Sequence, residues 1–394
     1  MSESNVHEPD AAFVIATLTD LVRINSINPA FSGGTTDERE IADYVASALG
    51  ALGCEVTRHE PAPGRISVTG RLPGTRGGRS LMLYAHMDTV GVEDMAEPFS
   101  GTMRAGRLHG RGAYDMKSGL AACLGAVKAL GDAGTSISGD LVVCAVADEE
   151  TESLGIRDVL RRVRTDAAIV TEPSELDLCV AHKGFCWIEV VTEGRAAHGS
   201  RFALGVDANM RMGRFLAALD GLEQRLRASA PHPLLGPPSL HAAVLEGGTG
   251  ASTYAARCRL EIERRTIPGE TAEQVMLEIG ELIAALRAAD PELVISHRLL
   301  LARDPFEVAP DAAIVDAVRW AAAERLGNPP ATTGVSFWMD AALLASAGIE
   351  TVVIGAAGAG AHAAEEWVDM QSVVELAGIL AAAAVRYWDG TSPT

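Results

Sequence analysis

Leu81-Met82-Leu83-Tyr84-Ala85-His86-Met87-Asp88 opens as an unbroken apolar run and closes on an imidazole and a carboxylate two positions apart. A run this short and apolar reads as a strand buried on both faces, as in a parallel sheet covered by helices. Two further runs repeat the pattern. Leu141-Val142-Val143-Cys144-Ala145-Val146 leads into Asp148-Glu149-Glu150, and Ala167-Ala168-Ile169-Val170 leads into Thr171-Glu172-Pro173. Helix-like stretches at 119–130 and 155–163 separate them, and 349–354 supplies another buried strand. Strand ends are where an open α/β sheet builds its sites.

Upstream, residues 13–21 and 38–52 carry helical periodicity on either side of turns at 25–36. Downstream of Gly184 the texture changes to strand, helix, strand, strand, helix, strand, at 185–192, 208–228, 240–245, 255–263, 271–289 and 293–300. That order fits a split βαβ module. Residues 304–394 return to helix–strand alternation. The simplest organisation is an α/β domain of residues 1–183 and 302–394, with residues 184–301 inserted as a second, α+β domain.

Composition agrees with two domains: 394 residues, 48% hydrophobic and 22% charged, exceed one ordinary core. With 33 Lys plus Arg against 52 Asp plus Glu, and a net charge of -19, there is no basic stripe for nucleic acid or an anionic membrane. The start, Met1-Ser2-Glu3-Ser4-Asn5-Val6-His7-Glu8, lacks the features of a signal peptide, and no uninterrupted apolar stretch is read as long enough to span a bilayer. A cytoplasmic protein is expected. Its six dispersed cysteines read as free thiols, because no two-residue-gap pair occurs.

Two more positions join the strand ends. Asp115 sits in Gly110-Arg111-Gly112-Ala113-Tyr114-Asp115-Met116-Lys117-Ser118-Gly119, a glycine-rich turn before a helix, and His362 follows the glycines after strand 349–354. Singly, each has a plainer reading: a surface turn for His86 and Asp88, an N-cap for Asp115, a solvated acidic turn for 148–150. Jointly, His, Asp, Asp, Glu-Glu, Glu and His fall at the same end of successive expected strands, a poor candidate for chance.

In these ordered motifs, over nearly its whole length, the chain resembles the metallopeptidase family of acetylornithine deacetylase, succinyl-diaminopimelate desuccinylase, aminoacylase and carboxypeptidase G. The resemblance implies a zinc-peptidase-like α/β catalytic domain with a mixed, mostly parallel sheet, and an inserted ferredoxin-like dimerisation or lid domain. It implies two divalent ions, Zn²⁺ with Co²⁺ or Mn²⁺ as alternatives, one held by His86, Asp115 and Glu172, the other by Asp115, Glu150 and His362. Asp88 would accept the proton of the other His86 nitrogen. Charge counting is consistent: three ligand carboxylates and one bridging hydroxide offset two divalent cations. Glu149 would then be general base toward a metal-bridging water.

The resemblance also implies that His198, in Gly194-Arg195-Ala196-Ala197-His198-Gly199-Ser200, stabilises the oxyanion in the partner subunit of a homodimer, and that Arg265 meets a substrate carboxylate. A surface histidine and a surface arginine are the plainer alternatives. Three departures surround the expected pocket: Ser252 where relatives often have Asn, Trp338-Met339 before Asp340 where many have a hydroxyl, and Ala356-Ala357 in the glycine loop. The expected activity is amide hydrolysis of a small N-acyl amino acid, a reading favoured by Glu at 172, where related aminopeptidases tend to carry Asp. A dipeptidase or carboxypeptidase with the same machinery, and a silent binding protein on this scaffold, are the alternatives.

Overall fold

The structure is a computed structural model and describes residues 8–390, so the stretch read at residues 1–7 lies outside it. Two compact units are present. One comprises the described residues through Val180 with Val308–Thr333 and 339–390; the other comprises Ala181–Glu307 and Gly334–Trp338.

The first unit is built on a mixed sheet whose path runs Glu55–Ala62, Arg65–Leu72, Gly139–Val146, Gly78–His86, Ala167–Val170, Glu350–Val353 and Leu178–His182. The four runs read from the sequence are its mutually parallel centre. The flanking pairings are antiparallel. Register aligns the strand ends: Tyr84 lies opposite both Cys144 and Val170, and His86 opposite Val146. The side chains that follow these strands therefore emerge at one edge of the sheet.

Helices Ala11–Arg23, Lys117–Asp132, Ala313–Leu326 and Met370–Asp389 pack together beside this sheet. The first is capped by Asp10, whose carboxylate accepts from Phe13 N at 3.0 Å. Two glycines allow the close approach that shapes the sheet's working edge. A Cβ at Gly119 would lie 2.3 Å from Thr171 Oγ1, and one at Gly355 would lie 2.0 Å from the Glu172 carbonyl. Both therefore press their segments against the Thr171–Glu172 strand end. Among the described residues one helix, Met370–Asp389, is long and apolar enough to cross a membrane by length and composition, and it is mostly buried, as in a core helix.

A small four-stranded sheet, in the order Gly358–Ala359, Trp367–Asp369, Arg107–His109, Thr102–Arg104, also belongs to this unit. It pairs Trp367 with His109, and so registers the hairpin carrying His362 against the segment that continues into the Asp115 turn.

In the second unit, strands Gly184–Glu193, Ser239–Gly247, Arg257–Thr266 and Val294–Arg303 alternate with helices Ala208–Arg227 and Ala272–Ala289. The sheet is antiparallel throughout, with Gly184–Glu193 between Arg257–Thr266 and Val294–Arg303 and with Ser239–Gly247 at an edge. This is a ferredoxin-like βαββαβ arrangement. Period-two burial along Arg257–Thr266 sends Cys258, Leu260 and Ile262 into a core with Ile188, Val190, Phe215, Val275, Ile279 and Ile283. A capping box of Thr271 and Gln274 starts the second helix.

Candidate metal centre

His86 ends a central strand and is 1% exposed. Its Nδ1 lies 2.9 Å from the carbonyl oxygen of Asp88. A carbonyl only accepts, so Nδ1 carries the proton and Nε2 is left to face the site. From Nε2, Asp115 Oδ1 is at 3.2 Å and Glu172 Oε1 at 3.6 Å. His362 Nε2 lies 3.3 Å from Asp115 Oδ2 and 3.2 Å from Glu150 Oε2. The two oxygens of Asp115 thus serve two triads, and within each triad the donor atoms lie within 4.8 Å of one another.

The carboxylate of Asp88 does something other than expected. It stands 3.7 Å from His86 Nδ1 and accepts instead from the backbone N–H groups of Glu149, at 3.1 Å, and Glu150, at 3.2 Å. Asn28 donates to it at 2.8 Å and to Asp148 at 3.0 Å, while Arg65 pairs with Asp148 at 2.9 Å and with Glu38 at 2.5 Å. Of the three adjacent acids, Asp148 therefore turns inward with φ of 70°, and Glu150 joins a triad. Orientation of His86 falls to a main-chain oxygen because the side chain two residues on is engaged by the next strand end.

The electrostatics suit a cation. Burial, then the charge of Glu172, Asp340 and Glu150, pushes Glu149 well above the carboxylate range against the pull of His86. Glu172 is raised in the same way, by burial first and then by Asp115 and Glu150. His362 is pushed up to about 10 by its hydrogen bonds to Asp115 and then Glu150. For Asp115, burial is outweighed by hydrogen bonds with His362 and His86, which hold it well below the usual range. So many carboxylates drawn together are costly without positive charge. Triads of one imidazole and two carboxylates fit divalent metal ions.

Comparison with known proteins identifies the family of the chain. Residues 82–386 match the family model of peptidase family M20/M25/M40. The chain belongs to that family. It is accordingly a hydrolase of the metallopeptidase and amidohydrolase kind. It is 29% identical to acetylornithine deacetylase of Myxococcus xanthus over 95% of this chain and 97% of that one. It is 32% identical to N-formyl-4-amino-5-aminomethyl-2-methylpyrimidine deformylase of Bacillus subtilis, over 64% of this chain and 63% of that enzyme's length. Among solved structures, an aminopeptidase from Bacillus cereus superposes with a TM-score of 0.80 at 18% identity, covering 96% of this chain and 99% of the other.

In this M20 chain the remaining site residues expected from the sequence lie in the second unit. His198 is exposed, on a loop after strand Gly184–Glu193. Its Nδ1 accepts from the backbone N–H of Ser200 at 3.2 Å, which places the proton on the outward Nε2. Ser252 meets this loop through its carbonyl, which accepts from Gly199 N at 2.7 Å. Arg265 forms an ion pair with Glu263 and lies over the Phe185 ring, 5.2 Å from its centroid. Trp338 donates its indole N–H to the Asp304 carbonyl at 3.1 Å and stacks under Arg303.

Arg111 and Glu366 were not singled out from the sequence. Both are buried and paired at 2.7 Å, and the Glu366 carboxylate accepts from the N–H groups of Gly112, Tyr114 and Asp115. The one available signal was Arg111 in the glycine-rich turn, and a lone arginine there reads as a surface residue.

Proposed function

We propose that this chain removes the acyl group from small N-acylated amino acids, as a deacetylase or deacylase working with two divalent ions, zinc in the first instance. The observation that carries this reading is Asp115, whose two oxygens address separate triads, with the charge of Glu149 felt by His86, Glu172 and Glu150. The acyl-removing names of two sequence relatives support it over peptide cleavage.

When bound, the ions supply Lewis acidity toward the scissile carbonyl and toward water. Glu149 takes the proton of the attacking water on its carboxylate and passes it to the nitrogen of the departing amine. Asp88 holds the Glu149 and Glu150 backbone in place through its two hydrogen bonds. His198 donates from Nε2 to the carbonyl oxygen as negative charge develops there. In this reading it acts in trans, within a homodimer joined through the inserted unit of residues 184–301. Arg265, whose guanidinium also pairs with Glu263, anchors the substrate carboxylate, and Ser252 borders the pocket. A cytoplasmic location fits cysteines that remain thiols.

The test is a kcat/KM panel of N-acyl amino acids and dipeptides with zinc-loaded and cobalt-loaded protein. Acetyl and longer acyl derivatives of neutral, apolar amino acids should be turned over best. Faster cleavage of dipeptides would move the assignment to a dipeptidase, and no turnover across the panel would leave the silent binding protein.

A further inference from the structure

Two ligands of the candidate centre stand on backbone that has little reason to stay put. Asp115 lies in a glycine-rich turn, and His362, with its side chain 55% exposed, has φ of +61°, a left-handed conformation that costs a non-glycine residue of order 1 kcal/mol or more. Such a conformation persists where its surroundings over-determine it. Here those surroundings converge on one ion pair. Oε2 of Glu366 accepts from Arg111 Nη1 at 2.7 Å and from Gly112 N at 3.0 Å, and Oε1 accepts from Tyr114 N at 2.9 Å and Asp115 N at 3.0 Å. Arg111 in turn donates to Ala363 O at 3.0 Å, the residue after His362, and to Gly91 O at 2.9 Å. Gly110 N reaches the Glu366 carbonyl at 3.2 Å, completing the tie between the two segments.

We propose that Glu366, together with Arg111, is a positioning residue that sets the affinity of the centre for its ions by locking the Asp115 turn and the His362 hairpin into one piece. The carboxylate touches neither ion nor substrate and acts through the ligands it holds. Because Asp115 belongs to both triads, weakening Glu366 reaches both ions. Weakening Arg111, whose second contact is beside His362, falls mainly on the ion that His362 holds.

The test is a spectroscopic titration of apo protein with Co²⁺, following the visible absorption of each bound ion. Glu366→Gln keeps the shape but leaves part of the N–H array without an acceptor. It should weaken both binding events by roughly 10–100-fold, the usual cost of losing a partner that orients metal ligands, and shift the cobalt bands. Arg111→Lys should weaken one event more than the other, the same one that His362→Ala abolishes, and Glu366→Gln should cost less in the His362→Ala background than in the wild type. Wild-type affinity and spectrum in both variants would overturn the proposal. Should Glu366→Gln fail to fold, Arg111→Lys decides alone, and loss of fold in both at saturating Co²⁺ would assign the pair to stability of the unit and equally overturn it.

Discussion

His86 is buried at the end of a central parallel strand and gives its second nitrogen to a main-chain carbonyl, whereas His198 is exposed on a loop and finds its partner two residues away in Ser200. In the first unit, carboxylates distant in the chain hold the backbone around the candidate ligands: Asp88 reaches the 149–150 backbone and Glu366 reaches the 112–115 backbone. In the second unit, the contacts come from neighbours in sequence or on an adjacent strand: Ser200 for His198, Glu263 and Phe185 for Arg265. The first kind of contact ties segments far apart in the chain into one piece, and the second kind is local.

The sharpest break in this comparison would come at Glu149. Glu149→Ala should leave both ions bound and lower turnover by roughly 10²–10⁴-fold, the contribution of a positioned general base. Its neighbour Glu150→Ala should lose metal; elemental analysis finding both ions in both variants would end the division of labour between them. On the other side, His198→Ala should cost roughly 10²–10³-fold in kcat as an oxyanion donor. Mixing it with Glu149→Ala should restore activity through hybrid dimers, and a monomer in solution, or no rescue after verified subunit exchange, would confine His198 to its own surface.

A smaller effect is expected at Arg265. Arg265→Ala should reduce the preference for a free substrate carboxylate over its carboxamide by roughly tenfold to a hundredfold, the worth of a charge-assisted contact. Full retention of that preference would make its pairing with Glu263 the whole of its role. Least in size is a contrast between two glycines. Gly119→Ala should destabilise the first unit by about 1–3 kcal/mol, since its methyl group meets Thr171. Gly213→Ala, in helix Ala208–Arg227 with open space around it, should stabilise the second by about 0.5–1 kcal/mol. Melting curves that move together would show that the space around these two glycines does not decide their effect.

The parallel centre was legible because its strands are short, apolar on both faces and followed by side chains able to ligate a metal. The antiparallel pair Glu55–Ala62 and Arg65–Leu72 escaped notice because the former is largely exposed and carries no apolar alternation. Strands of two or three residues, such as Gly358–Ala359 and Thr102–Arg104, are too short for any periodicity. Spacing placed Asp88 near His86, yet it could not distinguish a carboxylate from the carbonyl of the same residue. The Arg111–Glu366 pair joins positions far apart in the chain, and a buried ion pair leaves no local signal in either segment.

The order in which the ligands emerge from the ribosome follows from this layout. His86, Asp115 and Glu172 all precede the second unit, so the first triad is synthesised before Ala181–Glu307, while His362 comes after it. Strand Glu350–Val353, which fills the place between Ala167–Val170 and Leu178–His182, is just as late. Nascent chains thus spend the time needed to translate the entire inserted unit with an open slot in the sheet and half a binding site. A chain truncated between Glu172 and Glu350 would have bare strand edges and one incomplete triad, a natural target for quality-control proteases.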